Sequence, residues 1–477
     1  MTAPLPQPAT SEIARLFERQ RAHAPHMART SAAERRERLG RLSRAIKSRR
    51  AAIAAAMHAD FRKPAWESEF TEIHMALAEL NLAMRRVGRW MKPERVGTPL
   101  LLFGTSSRVV YEPRGVVLIM GPSNYPFSLI VNPLIAAIAA GNCAILKPSE
   151  KTPNTSRLLK ELVAATFDET EVALVEGGPE VGAALLDFPF DHIFFTGSAQ
   201  IGRIVMAAAA RHLASLTLEL GGKSPAVVDA TADIEAAAQR IVWGKFVNAG
   251  QTCIAPDYVY VHESRAPAFL AAARAALERL YGGTEEERAA TPDFARIVDE
   301  SHVLRLKDQV ERSVAAGARV EVGGRFDAET RYVAPTIVSG VTTDAPLMQC
   351  EIFGPVLPVL AYRELDEVVA FVRRCGKPLA MYIFTRDDRV TRELLARTSA
   401  GSTAINTTLL QYANPGLPFG GVGASGLGAY HGFHGFRAFS HARSLLRQRE
   451  PALVRLFFPP YRGRLHELAR RVLRLLE

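Results

Sequence analysis

The sequence predicts an α/β protein in which a doubly wound parallel sheet is followed by a second α/β domain. Three observations carry this. From Gly115 onward, short apolar runs alternate with segments of helical period, the pattern of right-handed strand–helix–strand crossovers. Polar residues gather at the carboxyl ends of those runs, where sheets of this kind bind ligands. The chain has 477 residues, 48% apolar and 23% charged, which is too long for one core and too apolar for general disorder.

In order, residues 10–60 read as helical. Ile13, Leu16 and Phe17, then Leu39, Leu42, Ala45 and Ile46, recur at helical spacing with arginines between them. A second helix runs from Ser68 to about Met91, with Phe70, Ile73, Leu77, Leu80 and Met84 on one side, until Pro93 and Pro99 break it. Thr105–Pro113 reads as a strand in an exposed hairpin. Five apolar strands follow, at Val116–Met120, Ala144–Leu146, Val172–Val175, His192–Phe195 and Leu216–Leu220. Helices at Leu129–Ala140, Thr155–Thr166, Val181–Leu186 and Ile201–Leu213 separate them.

The second unit begins near Ser224. It holds helices Glu235–Val247, Ala266–Leu280, Ser301–Ala316, Leu365–Cys375 and Arg389–Thr398. Its strands are Asp257–Val261, Val333–Val338, Val356–Ala361 and Met381–Phe384. Pro415–Gly435 is a Gly/Pro-rich loop system, and loops of that length in compact domains usually serve function. The tail Leu453–Leu476 is amphipathic, interrupted by Pro459-Pro460.

Composition removes several classes. Four cysteines, at 143, 253, 350 and 375, have no paired spacing. That argues against a disulfide framework or a zinc site and for a reducing, cytoplasmic setting. No secretory signal and no uninterrupted apolar span is present, so no membrane anchor is expected. The net charge of +10 is uneven: residues 1–50 carry +8 and residues 437–477 carry +7, leaving the body at −5. Without an aromatic-interleaved basic module, solvated helix faces account for the basic ends, and no nucleic-acid partner is expected.

The strand ends supply the candidate chemistry. Cys253 lies in Gly250-Gln-Thr-Cys-Ile-Ala-Pro256, a turn between a helix and a strand. A thiol there is either a small buried hydrophobe or a nucleophile presented on a loop. Gly197-Ser-Ala-Gln-Ile-Gly202 follows a strand and opens a helix, which suits a phosphate or simply a tight turn. Lys147 and Glu150 could hold a ribose or form a surface pair. Glu219 ends an apolar strand, where desolvation would fit it as a general base or pair it in a structural salt bridge. Asn124 is a neutral donor suited to an oxyanion, and equally a turn or cap residue.

Taken together, Pro122-Ser-Asn-Tyr-Pro-Phe127, Leu146-Lys-Pro-Ser-Glu150, Phe195-Thr-Gly-Ser198, Leu218-Glu-Leu-Gly-Gly-Lys223, Gly250-Gln-Thr-Cys253, Glu351-Ile-Phe-Gly-Pro355 and Pro418-Phe-Gly-Gly421 resemble the aldehyde dehydrogenase superfamily in order and spacing, over about residues 12–462. The short N-terminus, Cys253-Ile-Ala-Pro-Asp-Tyr258 and the ending Tyr430-His-Gly … Phe439-Ser-His441 … Pro459-Pro-Tyr461 resemble its class 3 branch, which includes fatty-aldehyde and coniferyl-aldehyde dehydrogenases.

That resemblance implies Cys253 as the nucleophile, Asn124 with the Cys253 backbone N–H as the oxyanion site, and Glu219 as the base for thioester hydrolysis. It implies NAD as cofactor, with NADP possible. Lys147, Glu150, Gly197, Ser198, Gly202, Leu220, Gly221, Glu351 and Phe353 would contact it. Tyr125, Asn406 and His431 would line the aldehyde pocket. Residues 1–104 with 115–222 would form the cofactor domain, 223–430 the catalytic domain, and 105–114 with 431–477 an arm joining a homodimer. One departure is Ser123, where many members carry Trp. The chemistry implied is oxidation of an aliphatic or aromatic aldehyde to the acid; the rivals are an acylating enzyme that uses coenzyme A and a non-catalytic binding protein on the same fold.

Overall fold

The computed structural model describes residues 7–99, 102–449 and 458–476. The helical N-terminal stretch is three helices, Gln7–Ala28, Ala32–Ser48 and Arg50–Phe61. The break before the second is a capping box: the Ser31 hydroxyl accepts from the Glu34 N–H while the Glu34 carboxylate accepts from Ser31, satisfying donors that a helix start leaves open. The next helix is interrupted. Ala65–Ser68 passes into a π turn at Glu69–Ile73 before His74–Trp90 resumes α geometry. The wide turn displaces Phe70 from the expected apolar line: Ile73 is fully buried, whereas Phe70 is 37% exposed.

Six strands form the first sheet, in the order Gly426–Leu427, Ser215–Glu219, His192–Thr196, Val116–Met120, Cys143–Lys147, Val172–Leu174. All pairs are parallel except the first, where Gly426 and Leu427 lie antiparallel to Glu219 and Leu218. The chain winds outward from Val116–Met120 on one side and then returns to its other side. The crevice beyond Met120 and Thr196 is therefore a topological switch point, where such sheets take ligands. Val116–Met120 and Cys143–Lys147 are buried throughout, as parallel strands covered on both faces require.

The second sheet has seven strands in the order Arg319–Val322, Thr336–Ser339, Val356–Tyr362, Tyr258–His262, Pro225–Val228, Ala380–Phe384, Ser402–Ile405. Only the edge strand Arg319–Val322 is antiparallel. The expected strand Val333–Val338 is two pieces, Tyr332–Val333 and Thr336–Ser339, because Pro335 between them has no N–H to give a ladder. A separate antiparallel sheet joins Glu94–Val96, Thr105–Pro113 and Ser440–Gln448; Thr105–Pro113 forms the expected hairpin with Glu94–Val96 and pairs on its other edge with a segment far along the chain. The amphipathic tail is helical over Arg464–Leu476, and residues 453–457 of the expected segment lie outside the described residues. Among the described residues, no helix is long and apolar enough to cross a membrane.

Candidate active site

Cys253 stands where the two sheets meet. Helix Ile234–Phe246 leads into a turn in which Asn248, Ala249 and Gly250 all have left-handed φ, at 56°, 52° and 71°. Such backbone is costly for Asn and Ala and persists only where surrounding contacts enforce it. Here Gly250 is the one residue that fits, since a Cβ would fall 2.3 Å from the carbonyl oxygen of Gly354. The side chain of Gln251 closes the turn, donating to Asn248 and Arg296 carbonyls and accepting from the Val298 N–H.

Two cavities open on Cys253. The first is a long cleft across the carboxyl end of the first sheet, bordered by Ser123, Asn124, Lys147, Glu150, Gly197, Ser198, Leu220, Gly221, Glu351 and Phe353. The second is apolar, walled by Phe70, Met75, Tyr125, Trp243, Tyr412 and Tyr430 among others. Cys253, Glu219, Thr196 and Leu129 border both. A molecule in the cleft and one in the cavity would meet at the thiol.

Asn124 is buried, and its amide donates to the Gln251 carbonyl at 2.9 Å. Its backbone carbonyl accepts from the Asn248 side-chain amide at 3.0 Å. A primary amide carries two N–H donors, and this bond sets the group against the cysteine turn. Glu219 is 3% exposed, and neither carboxyl oxygen has a hydrogen-bond partner among the described residues. Burial holds its carboxyl well above the usual range. Burial also pushes the Cys253 thiol up, with Glu351 and Glu219 adding to the effect. The resting thiol is therefore neutral and needs a base at the moment of attack.

The cleft brings together the residues expected to contact the cofactor, with one exception. Lys147 donates to Glu150 at 3.0 Å. Against the opposing effect of burial, that bond and Glu150's own backbone keep the Glu150 carboxyl below its ordinary value. Ser198 caps helix Ala199–His212 by accepting from the Ile201 N–H. Gly221 has no room for a side chain, because a Cβ would sit 2.1 Å from a Glu351 carboxylate oxygen. Burial, reinforced by Asp257, pushes the Glu351 carboxyl up to about 8. Its loop is clamped: Lys223 donates to Cys350 O, Asp257 accepts from Ile352 N–H, and Arg305 donates to Ile352 O. Gly202 is the exception. It does not border the cleft, although Ile201 and Ile204 on either side of it do; with Leu220 2.8 Å from its Cβ position, it serves close helix–strand packing.

Two expected pocket residues are corrected. Asn406 is not on the cavity wall; its amide brackets Thr385, accepting from the Thr385 N–H at 3.0 Å and donating to its carbonyl at 2.9 Å. His431 lies one layer behind the wall, with its ring 4.5 Å from both Tyr412 and Tyr430. Tyr125 does line the cavity. The aromatic wall residues Phe70, Trp243, Tyr412 and Tyr430, and His302 beside Phe353 in the cleft, were not singled out as site residues in the sequence. They are scattered along the chain and each reads locally as core. Among the described residues no cluster of His, Cys, Asp or Glu has the makings of a metal site.

A parallel-sheet cleft that ends at a half-buried thiol, an amide donor and an unpartnered carboxyl defines a cysteine-dependent oxidoreductase class. The family model for the aldehyde dehydrogenase family matches residues 2–445, and the chain belongs to that family. The 4,4'-diaponeurosporen-aldehyde dehydrogenase of Staphylococcus aureus is 45% identical over 430 residues, covering 90% of this chain and 92% of that protein. Human aldehyde dehydrogenase family 3 member B1 is 41% identical over 432 residues, 90% of each chain. The substrate-bound structure of Staphylococcus aureus AldH superposes with a TM-score of 0.92 at 43% identity, covering 96% of this chain and 99% of that one. Solved members contain NAD+, and one is described as NADP-dependent. The protein is an NAD(P)-dependent aldehyde dehydrogenase.

Proposed function

We propose that Cys253 attacks the carbonyl carbon of an apolar aldehyde held in the cavity. The observation that carries this is the position of Cys253 and Glu219 at the junction of both cavities. The sulfur–carbon bond forms as the carbonyl π pair moves to oxygen and the thiol proton passes to solvent water, and the oxygen of the resulting thiohemiacetal takes hydrogen bonds from Asn124 and the Cys253 N–H. NAD(P) in the cleft supplies the two-electron acceptor for that carbon. Cys253 is then left as a thioester, and Glu219 takes a proton from the water that hydrolyses it, releasing the acid and the thiol.

Several features support cofactor binding in the cleft. Lys147 and Glu150 offer a cation and a carboxylate to ribose hydroxyls, Gly197-Ser198 opens a helix N-terminus toward phosphate, and Leu220 and Gly221 form the floor. Glu351 and Phe353 flank the end nearest Cys253. An ionised Glu150 disfavours a 2′-phosphate and so favours NAD over NADP.

The apolar wall supports medium-chain aliphatic and phenylpropanoid aldehydes as substrates, with Tyr125 at its base. We further propose a division into cofactor domain (1–104, 115–222), catalytic domain (223–430) and arm (105–114, 431–477). Apart from Gly426–Leu427, which returns to the first sheet, the strands of the two large sheets divide near residue 223, which supports it. The arm sheet, with Leu445 and Leu446 exposed, supports a homodimer, and four free cysteines support a cytoplasmic setting. The test is an aldehyde panel with NAD and with NADP, ranked by kcat/KM, with the product identified. Free acid and complete loss of turnover in Cys253→Ala are expected; acyl-CoA accumulating when coenzyme A is added, or turnover surviving in Cys253→Ala, would sink the reading.

A further inference from the structure

We infer that the buried pair Lys63–Glu72 is a positioning device for the nucleophile turn, acting through Tyr125; this rests on the assignment of Cys253 as nucleophile. Both side chains are fully buried, with Lys63 Nζ 2.8 Å from a Glu72 oxygen. An ion pair removed from water contributes little to stability, because desolvation offsets its attraction. Its other contacts explain what it does.

Lys63 Nζ lies 4.0 Å from the centre of the Tyr125 ring, a cation held on an aromatic face. The Tyr125 hydroxyl shares a hydrogen bond with the Thr252 hydroxyl at 2.7 Å, one residue before Cys253. The second Glu72 oxygen accepts from the backbone N–H groups of Phe127 and Ser128, at 3.1 and 2.8 Å. That fixes the turn which carries Asn124. Five residues earlier, Glu67 accepts from the Asn248 N–H at 2.9 Å, the first of the three left-handed residues before the cysteine.

One segment thus grips both halves of the reacting centre. In a regular α-helix, positions five apart lie about 140° apart around the axis. The π turn at Glu69–Ile73 brings Glu67 and Glu72 nearer one face, and π turns recur at functional sites for such reasons. Lys63 and Glu72 touch neither cavity's contents. They are positioning residues, and their effect is on the geometry of attack, where a displacement of about 1 Å can cost about 100-fold.

The test uses the whole enzyme in single-turnover and steady-state modes. Lys63→Met is expected to slow the NADH burst, which reports attack and oxidation, by about tenfold or more, while the KM for NAD stays within about twofold. Tyr125→Phe and Thr252→Val should slow the burst similarly. The double variant Lys63→Met/Tyr125→Phe should be no slower than its worse single, since both cut one chain. A folded Lys63→Met with an unchanged burst, or losses that multiply in the double variant, would overturn the inference. If Lys63→Met does not fold, Tyr125→Phe decides: an unchanged burst overturns it. Cys253→Ala run alongside separates the two readings, because a burst surviving there defeats the nucleophile assignment itself.

Discussion

Glu219 and Cys253 reach one point from two different sheets. Glu219 ends Ser215–Glu219 of the first sheet, and Cys253 follows the helix that leads into Tyr258–His262 of the second. Both border the cleft and the apolar cavity. Neither is ionised readily at rest, since burial raises both. Both groups therefore rest uncharged at the point where the two cavities meet.

The first prediction follows from that pairing. Glu219→Gln retains the NADH burst but slows steady-state acid release by about 100-fold or more. A base with a raised carboxyl must lose its proton to act, so deacylation in the native enzyme speeds up as pH rises. This limb disappears in Glu219→Gln. Stopped-flow and steady-state rates across pH check both outcomes, and loss of the burst would mean that Glu219 already acts in the attack.

Asn124→Ala removes the amide donor together with its bond to Gln251 O. The expected fall in kcat is about 100- to 1000-fold. KM for NAD should change little, because the proposed role of the amide is on the reacting oxygen and not on the cofactor. A purely structural Asn124 would lower thermal stability and leave the folded fraction at native kcat.

Glu150 stands in the cleft with its carboxyl kept ionised beside Lys147. Glu150→Gln removes a negative charge that a 2′-phosphate would meet. The ratio of kcat/KM for NADP to that for NAD is expected to rise about tenfold, roughly 1.4 kcal/mol in discrimination. An unchanged ratio would place the ribose elsewhere.

Glu79 is 6% exposed and accepts from the Gly432 N–H. Burial pushes its carboxyl up to about 7, against 4.5 for the free group. The folded state therefore binds the proton more tightly, and its contribution is fully present below pH 4.5 and lost as pH rises toward 7. Glu79→Gln lacks this loss. Its melting temperature should match the native protein near pH 4.5 and exceed it at pH 8, by about 3 kcal/mol in stability. Equal differences at both pH values would contradict the assignment.

Much of the fold was legible because buried parallel strands leave continuous apolar runs. Val116–Met120 is an expected strand with the same bounds in the structure. Pro225–Val228 left too short a run to read, yet it lies inside the second sheet. The candidate reacting residues were legible through the order and spacing of the motifs that hold them, since Cys253, Glu219 and Asn124 each have an ordinary reading when taken alone. The cavity wall was not: Phe70, Trp243 and Tyr412 come from three distant segments, and each looks like ordinary core until the chain is folded. Asn406 failed for another reason. Carried over by resemblance, it turned out to be committed to the backbone of Thr385. Lys63, Glu67 and Glu72 left no local trace, because isolated charges in a connection or on a helix read as solvated.

The arm sheet has a consequence for the newborn chain. Thr105–Pro113 finds its long partner in Ser440–Gln448, separated from it by more than two-thirds of the protein. At about 5–20 residues per second of synthesis, the earlier strand waits on the order of half a minute with one edge open to any passing strand. Its Ser106, Ser107, Arg108 and Glu112 make that edge a poor template, so the composition of a strand in the finished arm also protects the unfinished one from its neighbours on the ribosome.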